Sequence, residues 1–299
     1  MGKFIAGRGV REPSSDLDFE QVRRVAITAM FADDTLMDVL VLKGGSALAL
    51  VHRISRRFSF DLDFSLEGDV DNTDEFRSRI FRALRERFDA AGYVVFDERF
   101  EAVPPEGAVT LHPRWGGYVI EFKLLSRVLY EKLRHDPAAM SRSALALDSM
   151  HNRRFRIEIS KFEFCSPKSE TELDDLTIYV YPPVLIAVEK VRAICQQMKE
   201  YIPQTRKRPR AADFYDIHLI SAESGVELAA AANHELFRNV FSAKVVPLSL
   251  LREIPREREF HREGWLEVVE TLGMEPREFD FYFDFVVDEV SKLESLWNE

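Results

Sequence analysis

The hydrophobic pattern of the chain changes at Pro182-Pro183, and this change constrains the fold class. Before these prolines, short segments rich in β-branched and aromatic residues alternate apolar with polar positions, a pattern typical of strands. After them, apolar residues recur about every 3.6 positions, which is typical of helices. The clearest strand patterns lie at residues 93–96, 118–124, 155–160 and 176–181. We therefore predict an α+β fold, with mixed α and β structure in the front half and helices in the back half.

The same change suggests a division of the chain into three parts. Residues 1–17 are polar and contain glycine and proline, so we expect a flexible arm there. Residues 18–182 carry the strand patterns and residues 183–299 carry the helical ones. A chain of 299 residues is long enough for one large or two modest domains.

A glycine turn and a carboxylate pair form the most informative local pattern. Gly44-Gly45-Ser46 begins a predicted short helix, and a predicted strand at residues 59–65 then carries Asp61 and Asp63. Successive side chains of a strand point to opposite faces, so the two carboxylates should share one face. Such carboxylates repel each other unless a cation lies between them. Mg²⁺ usually binds one or two carboxylates together with the phosphates of its substrate.

Three further groups near this pair suit a phosphate-containing substrate. Arg57 and Ser59 alternate in phase with Asp61, so we expect them on the same strand face. The turn could offer backbone N–H groups of Gly45 and Ser46, and the Ser46 hydroxyl, to phosphate oxygens. Each of these motifs alone is short enough to occur by chance. Their combination is more specific and predicts metal-assisted transfer of a nucleotidyl or phosphoryl group.

Such a reaction calls for a third carboxylate. Two-metal transfer needs ligands for both ions, and one carboxylate can also accept the proton of the attacking hydroxyl. Glu158 is the first choice, because it lies mid-strand between two isoleucines that should face the core. Glu121 has the same setting and is the alternative, and either residue could instead be an exposed strand glutamate.

The helical half contributes a second set of charged residues. Lys190 lies beside an apolar helix face, where it either extends along that face to water or faces the substrate phosphates. Asp213 and Asp216 are three residues apart on the next helix and therefore share a face. They could pair with Lys190 or with nearby arginines. The seven histidines show no metal-ligand spacing, and we assign none of them a role.

Composition excludes several other classes of protein. No apolar run approaches the roughly 20 residues that span a membrane, and the N-terminus lacks the apolar stretch of a signal peptide. Without a secretory signal, we expect Cys165 and Cys195 to be reduced thiols in a cytoplasmic protein, and they lack the spacing of zinc ligands. A net charge of −10 argues against broad nucleic-acid binding, although the basic cluster at residues 206–210 could make a local contact.

These motifs together resemble a known family. Lys43-Gly44-Gly45-Ser46-Ala47-Leu48 followed by Arg57-x-Ser59-x-Asp61-x-Asp63 resembles the first motif of the AbiEii/AbiGii-type toxin nucleotidyltransferases, which belong to the DNA polymerase β-like superfamily. Glu189-Lys190-x-Arg192 and Asp213-x-x-Asp216 resemble its later motifs. The resemblance covers about residues 36 to 220. The chain departs from the family at Ala212, where the family often has arginine, and Arg210 lies two residues earlier.

The resemblance implies a nucleotidyltransferase-like catalytic domain over residues 18–182, with a twisted sheet flanked by helices, and a helical C-terminal domain that contributes Lys190 and Asp213. It implies Mg²⁺, a nucleoside triphosphate substrate and a role as the toxin of a toxin–antitoxin or phage-defence pair, with a cognate antitoxin as partner. Some similar toxins add nucleotides to the 3′ end of tRNA, so we expect an RNA acceptor.

Specific roles follow from the motifs and the resemblance together. We expect Asp61, Asp63 and Glu158 to bind metal, and Lys190 and Asp213 to complete the catalytic set, with Asp213 positioning Lys190 or substrate. The expected nucleotide-binding residues are Gly45, Ser46, Arg57, Ser59 and Lys190. Two alternatives remain: a non-catalytic nucleotide- or antitoxin-binding protein of the same fold, and a kinase-like enzyme that phosphorylates a protein.

Overall fold

A seven-stranded mixed sheet forms the centre of the computed structural model. The structure describes residues 17–55, 57, 61–105, 114–146, 152–203, 206–272 and 275–298, so most of the expected 1–17 arm lies outside the described residues. The strands are β1 Val41–Lys43, β2 Leu62–Ser65, β3 Tyr93–Val103, β4 Gly117–Ser126, β5 Phe155–Ser160, β6 Ser169–Leu173 and β7 Leu176–Val180. Their order across the sheet is β3-β4-β5-β2-β1-β7-β6.

The α-helices surround this sheet and then continue alone after β7. They are α1 Phe19–Phe31, α2 Asp34–Val39, α3 Gly44–Ser46, α4 Thr73–Ala90, α5 Arg127–Leu133, α6 Pro137–Ser143, α7 Pro183–Cys195, α8 Ala211–Ser224, α9 His234–Ala243, α10 Arg258–Arg262, α11 Trp265–Glu270, α12 Phe279–Ser291 and α13 Glu294–Trp297. A π-helical turn at Ala47–Val51 extends α3, and 3₁₀ turns cover Ala231–Asn233 and Leu248–Glu257. The α+β prediction is confirmed.

Strand pairing explains why the two faces of the sheet differ. β2 pairs in parallel with β5 and antiparallel with β1, so it lies near the middle of the sheet. Alternate residues such as Phe64 and Ile157 are buried on one face. An aromatic row follows that face from Phe155 to Phe122 and on to Phe88 of α4, with ring centroids 5.3 and 5.7 Å apart. The opposite face carries the polar residues of the same strands.

Helices α7 and α8 connect the sheet to the C-terminal helices. Pro183 occupies the first turn of α7, where its missing N–H has no helical partner to lose. Phe214 of α8 packs against Phe279 and Phe283 of α12, with ring centroids 5.6 and 5.0 Å apart. One hydrophobic core runs through both halves. Within the described residues, no helix is long and apolar enough to cross a bilayer.

A group of buried charges, which we call the Glu163 cluster, joins four parts of the chain. Its members are Lys43 of β1, Glu163, Glu189 and Arg192 of α7, and Lys244. Glu163 lies 2.9 Å from Arg192, 3.4 Å from Lys244 and 3.5 Å from Lys43. Burial alone would raise the pKa of Glu163, but these cations outweigh it and hold the pKa well below its usual value.

His261 supports the start of α8. Its Nδ1 accepts a hydrogen bond of 3.0 Å from the backbone N–H of Arg210, and its ring lies 5.1 Å from that of Phe214. The side chain is fully buried, and burial lowers its pKa to about 4. The imidazole is therefore neutral in the folded protein at neutral pH.

Removing the shared carboxylate of the Glu163 cluster should destabilise the fold strongly. Glu163→Gln leaves three buried cations against one carboxylate, and we expect the free energy of unfolding in urea to fall by about 3–5 kcal/mol. The matched control is Glu75→Gln, which removes an exposed i,i+4 partner of Arg79 and should cost far less. Equal losses in the two variants would contradict this account.

Stability should also depend on pH through His261. Its pKa is about 4 in the folded protein and near 6.5 in an unfolded chain, so between these values the unfolded state binds the extra proton. Stability from this group is complete above pH 6.5 and falls by about 3 kcal/mol as the pH drops to 4. His261→Asn can keep the acceptor for Arg210 but cannot titrate. Urea unfolding of both proteins at several pH values should show their stability difference shifting by this amount, and a constant difference would refute it.

Candidate active site

Gly44 allows the Asp63 carboxylate to lie directly against the glycine turn. Lys43 and Asp63 are paired across the antiparallel β1–β2 ladder, and the chain turns at Gly44 with φ +70°. That left-handed conformation favours glycine. A Cβ at residue 44 would lie 2.4 Å from Asp63 Oδ2. Both the backbone conformation and the space at this position therefore require glycine.

Ser46 holds the turn to the residue that precedes β2. It is fully buried, and its hydroxyl donates to the Asp61 carbonyl at 2.9 Å and accepts from Arg23 Nη2 at 2.8 Å. The hydroxyl expected to contact phosphate is thus engaged inside the protein. Arg23 is a residue that sequence reasoning missed, although it occupies the buried face of α1 with Ala26 and Ile27.

The strand prediction around the carboxylates needs a correction. β2 begins at Leu62, so Arg57 and Asp61 precede the strand and do not share a strand face with Asp63. The start of the strand is set by β5, because the pairing of β2 with β5 begins at Leu62, opposite Ile157, whereas β1 pairs only with residues 63–65. Ser59 lies outside the described residues.

Glu158 is the glutamate placed beside Asp63. In the parallel β2–β5 ladder, Asp63 and Glu158 are directly paired, so their side chains leave the same face of adjacent strands. Glu121 of β4 is paired with Arg156, one strand farther out and two residues along β5. Arg156 donates to Glu158 at 2.8 Å and lies 3.4 Å from Glu121. The register thus favours Glu158 over Glu121 as the neighbour of Asp63.

A group that we call the carboxylate face consists of Asp63 and Glu158 on the sheet and Asp61 just before β2. Burial raises the pKa of Asp63 to about 6, Lys43 opposes that rise, and Glu158 and Asp61 add to it. Burial likewise raises the pKa of Asp61, and Glu158 adds to the effect. Among the described residues, no three Asp, Glu, His or Cys side chains are gathered closely enough to hold a metal ion. Asp61, Asp63 and Glu158 are nevertheless hard oxygen donors whose repulsion a cation would relieve.

Lys190 is held by both aspartates of α8. Its Nζ donates to Asp213 at 2.7 Å and lies 2.9 Å from Asp216. Asp216 is fully buried and also receives Arg57 at 3.1 Å. Burial alone would raise the pKa of both aspartates, but the cations lower that of Asp213 to about 2 and that of Asp216 below its usual value. The structure therefore brings Lys190, Asp213 and Arg57 together as one ion cluster.

Arg210 partly replaces the arginine that the family often has directly before Asp213, where this chain has Ala212. Its Nε lies 3.3 Å from Asp213 Oδ2, an ion pair without hydrogen-bond geometry. We call Arg57, Lys190, Arg210, Asp213 and Asp216 the Lys190 cluster.

The Lys190 cluster lies next to the carboxylate face. The charge of Asp63 raises the pKa of Arg57, after larger effects from Asp216, burial and Asp213. Arg208 stabilises the charged form of Asp61 in the same way. By contrast, Glu189 and Arg192 of the same motif belong to the Glu163 cluster, because adjacent helix residues point in different directions.

The requirement for glycine at residue 44 can be tested with a matched pair of variants. Gly44 and Gly225 have nearly the same φ, +70° and +66°, but a Cβ at Gly225 meets nothing within 4 Å. Both Gly44→Ala and Gly225→Ala should lose about 1–2 kcal/mol of stability from backbone strain. Only Gly44→Ala must also displace the Asp63 carboxylate, so it should lose measurably more in urea unfolding. Equal losses would show that the close approach to Asp63 costs nothing.

Comparison with known proteins identifies the family. The family model described as nucleotidyl transferase AbiEii toxin, type IV TA system, matches residues 26–285. No curated protein matches the chain significantly. Among solved structures, a candidate nucleotidyltransferase from H. pylori is 14% identical, with a TM-score of 0.48 and coverage of 94% of this chain and 95% of that one.

Two other solved structures are similar at comparable levels. JHP933 from Helicobacter pylori is 15% identical, with a TM-score of 0.46 over 94% of this chain and 95% of that one. An antigenic nucleotidyltransferase-like protein from Paracoccidioides brasiliensis is 14% identical, with a TM-score of 0.36 over 77% and 93%. These similarities are too low to assign a substrate. The family match covers most of the chain, and the chain therefore belongs to the AbiEii nucleotidyltransferase toxins of type IV toxin–antitoxin systems and is an enzyme of the nucleotidyltransferase class.

Proposed function

We propose that this nucleotidyltransferase uses Mg²⁺ to transfer a nucleotide from a nucleoside triphosphate to an RNA acceptor such as the 3′ end of tRNA. The observation that carries the proposal is the position of the carboxylate face, with Asp61, Asp63 and Glu158, beside the cationic Lys190 cluster. Metal ligands next to phosphate-binding cations are what phosphoryl and nucleotidyl transfer require.

Asp61, Asp63 and Glu158 are the residues assigned to the metal. Their donor atoms are the carboxylate oxygens that Mg²⁺ prefers. Burial, and then the nearby charge of Glu158, raise the pKa values of Asp61 and Asp63, and a bound cation would offset both effects. When bound, Mg²⁺ would neutralise charge on the triphosphate and polarise the phosphate under attack.

The chain's own residues would then bind the triphosphate and the attacking hydroxyl. The backbone N–H groups of Gly45 and Ser46 would face phosphate oxygens, together with Arg57 and Lys190. Lys190 could retain Asp213 as its orienting partner, since that carboxylate is 2.7 Å away. Ser59 is included as a nucleotide-binding residue on its sequence motif alone.

In the transfer, the acceptor hydroxyl oxygen forms a bond to the α-phosphorus, and the bond from that phosphorus to pyrophosphate breaks. The hydroxyl proton passes to a carboxylate oxygen, which we assign to Glu158. Its side chain is 38% exposed, so an acceptor can approach it, and Arg156 holds one of its oxygens.

The basic segment at residues 206–210 suits an RNA backbone contact. Burial raises the pKa of Asp61, and Arg208 lies close enough to oppose part of that rise, so an acceptor bound there would lie beside the carboxylates. Lys207, in contrast, donates to the carbonyls of Gln196 and Tyr201 and is used within the protein. We further propose a cytoplasmic location, where triphosphates and tRNA are present, and a cognate antitoxin as the partner of this toxin.

The test is transfer of label from each α-³²P nucleoside triphosphate to tRNA, with Mg²⁺. We expect labelled RNA with at least one triphosphate and loss of label with chelator. A γ-³²P label on protein instead would indicate the kinase-like alternative. No transfer with any triphosphate, together with undiminished toxicity of Asp61→Ala and Lys190→Ala, would leave only a non-catalytic role and overturn the proposal.

Two glutamate variants make this test specific for the third carboxylate. Glu158→Gln should reduce transfer by at least about 100-fold, as expected for loss of a group that moves a proton. Glu121→Gln is the matched control, on the same sheet face but one strand farther from Asp63, and should retain most activity. The reverse ranking would transfer the assigned role to Glu121.

A further inference from the structure

Arg23 differs from every other buried cation in the described part of the chain. Its side chain is on α1, and the residue is only 3% exposed. The remaining buried lysines and arginines, Lys43, Lys190, Arg192 and Lys244, each lie within 4 Å of at least one carboxylate. Across the described residues, no carboxylate comes within that distance of Arg23.

The contacts of the Arg23 guanidinium leave part of its donor capacity unused. Nη2 donates to Ser46 Oγ at 2.8 Å, and the group lies 5.6 Å from the Phe19 ring centroid. Nε is buried and has no hydrogen-bond partner among the described residues. A buried charge without a close counterion is costly, and an anionic ligand at this position would supply the opposite charge.

The surroundings of Arg23 indicate that the side chain is positively charged and lies beside the glycine turn. Burial lowers its pKa to about 10, Glu20 and Asp63 raise it, and Arg57 lowers it, so the group stays charged at neutral pH. Its hydrogen-bond partner, Ser46, belongs to the glycine turn and also holds the Asp61 carbonyl. The charge is therefore placed directly behind the turn, next to the carboxylate face and to Arg57.

We infer that Arg23 is a positioning residue of the triphosphate subsite: its uncompensated charge attracts the substrate polyphosphate to the glycine turn, and its hydrogen bond to Ser46 holds that turn against Asp61. This inference rests on the proposed function, because it takes a nucleoside triphosphate as the substrate. It assigns two separable effects, one to the charge and one to the hydrogen bond.

The charge is tested by calorimetric binding of inorganic tripolyphosphate without metal, which needs neither catalysis nor an acceptor. Arg23→Met should bind about tenfold or more weakly than the wild type. Arg23→Lys keeps the charge and should bind within about threefold. The matched control is Arg24→Met, since Arg24 is the next residue of α1 but pairs with Asp174 at the surface and should bind like the wild type.

The hydrogen bond is tested with Ser46→Ala, which keeps the Arg23 charge. Tripolyphosphate binding should stay within about threefold of the wild type, while the rate of label transfer falls. If Ser46→Ala loses as much binding as Arg23→Met, the charge has no role of its own and the inference is overturned.

The outcomes separate this inference from the proposed function. If Arg23→Met binds tripolyphosphate as tightly as the wild type, the inference fails even when label transfer is intact. If the wild type binds tripolyphosphate and Arg23→Met does not, the inference holds even when no acceptor is labelled. If circular dichroism shows that Arg23→Met does not fold, Arg23→Lys decides the question. Wild-type binding in 1 M salt gives the affinity expected when the charge attraction is screened. If Arg23→Lys, which keeps the charge, binds as weakly as that at ordinary salt, the inference is overturned.

Discussion

The ion pairs of Asp216 hold the two halves of the site together. Asp216 lies on a helix that follows the sheet in sequence, is fully buried, and receives both Arg57 from the loop before β2 and Lys190 from α7. Without it, two cations would remain buried at the junction with a single carboxylate, Asp213, to neutralise them. The distance between the carboxylate face and the cations Arg57 and Lys190 therefore depends on the side chain of Asp216.

Charge is distributed unevenly between the inside and the outside of the molecule. The chain has a net charge of −10, yet the Lys190 cluster and the Glu163 cluster each contain three cations and two carboxylates. Arg23 adds one more buried positive charge. An acidic protein thus carries positive charge beside its carboxylate face, an arrangement that would suit a polyanion bound together with a cation.

The sequence predicted the fold class and the main charged groups, because both depend on regular spacing. Strand β5 follows from a period of two residues, and the shared face of Asp213 and Asp216 follows from a period of about 3.6. Lys190 was one of two partners considered for these aspartates, and the structure pairs them with it. Strand β6 was missed because its polar sequence, SETEL, lies at the sheet edge, where only backbone pairing with β7 defines it.

The remaining differences arise from tertiary contacts that local patterns do not encode. Sequence spacing placed Asp61 in a strand, but the pairing of β2 with β5 begins only at Leu62, so the strand starts one residue later. The hydroxyl of Ser46 was expected to contact phosphate, whereas in the structure it binds Arg23. The sequence did not reveal this bond because the two residues are 23 positions apart. Arg23 itself was overlooked, since an arginine on an apolar helix face is recognised only when its surroundings are known.

Adjacent residues of α7 serve different clusters, and this has a consequence for how the chain can change length. Glu189 faces Lys43, whereas Lys190 faces Asp213. Inserting or deleting one residue between Pro183 and Glu189 would rotate the following helix by about 100°, because an α-helix has 3.6 residues per turn. The ion pair of Glu189 with Lys43 and that of Lys190 with Asp213 would then both be broken. The number of residues in the first two turns of α7 therefore sets the directions in which Glu189 and Lys190 point. Related chains should tolerate substitutions in these turns far more readily than insertions or deletions.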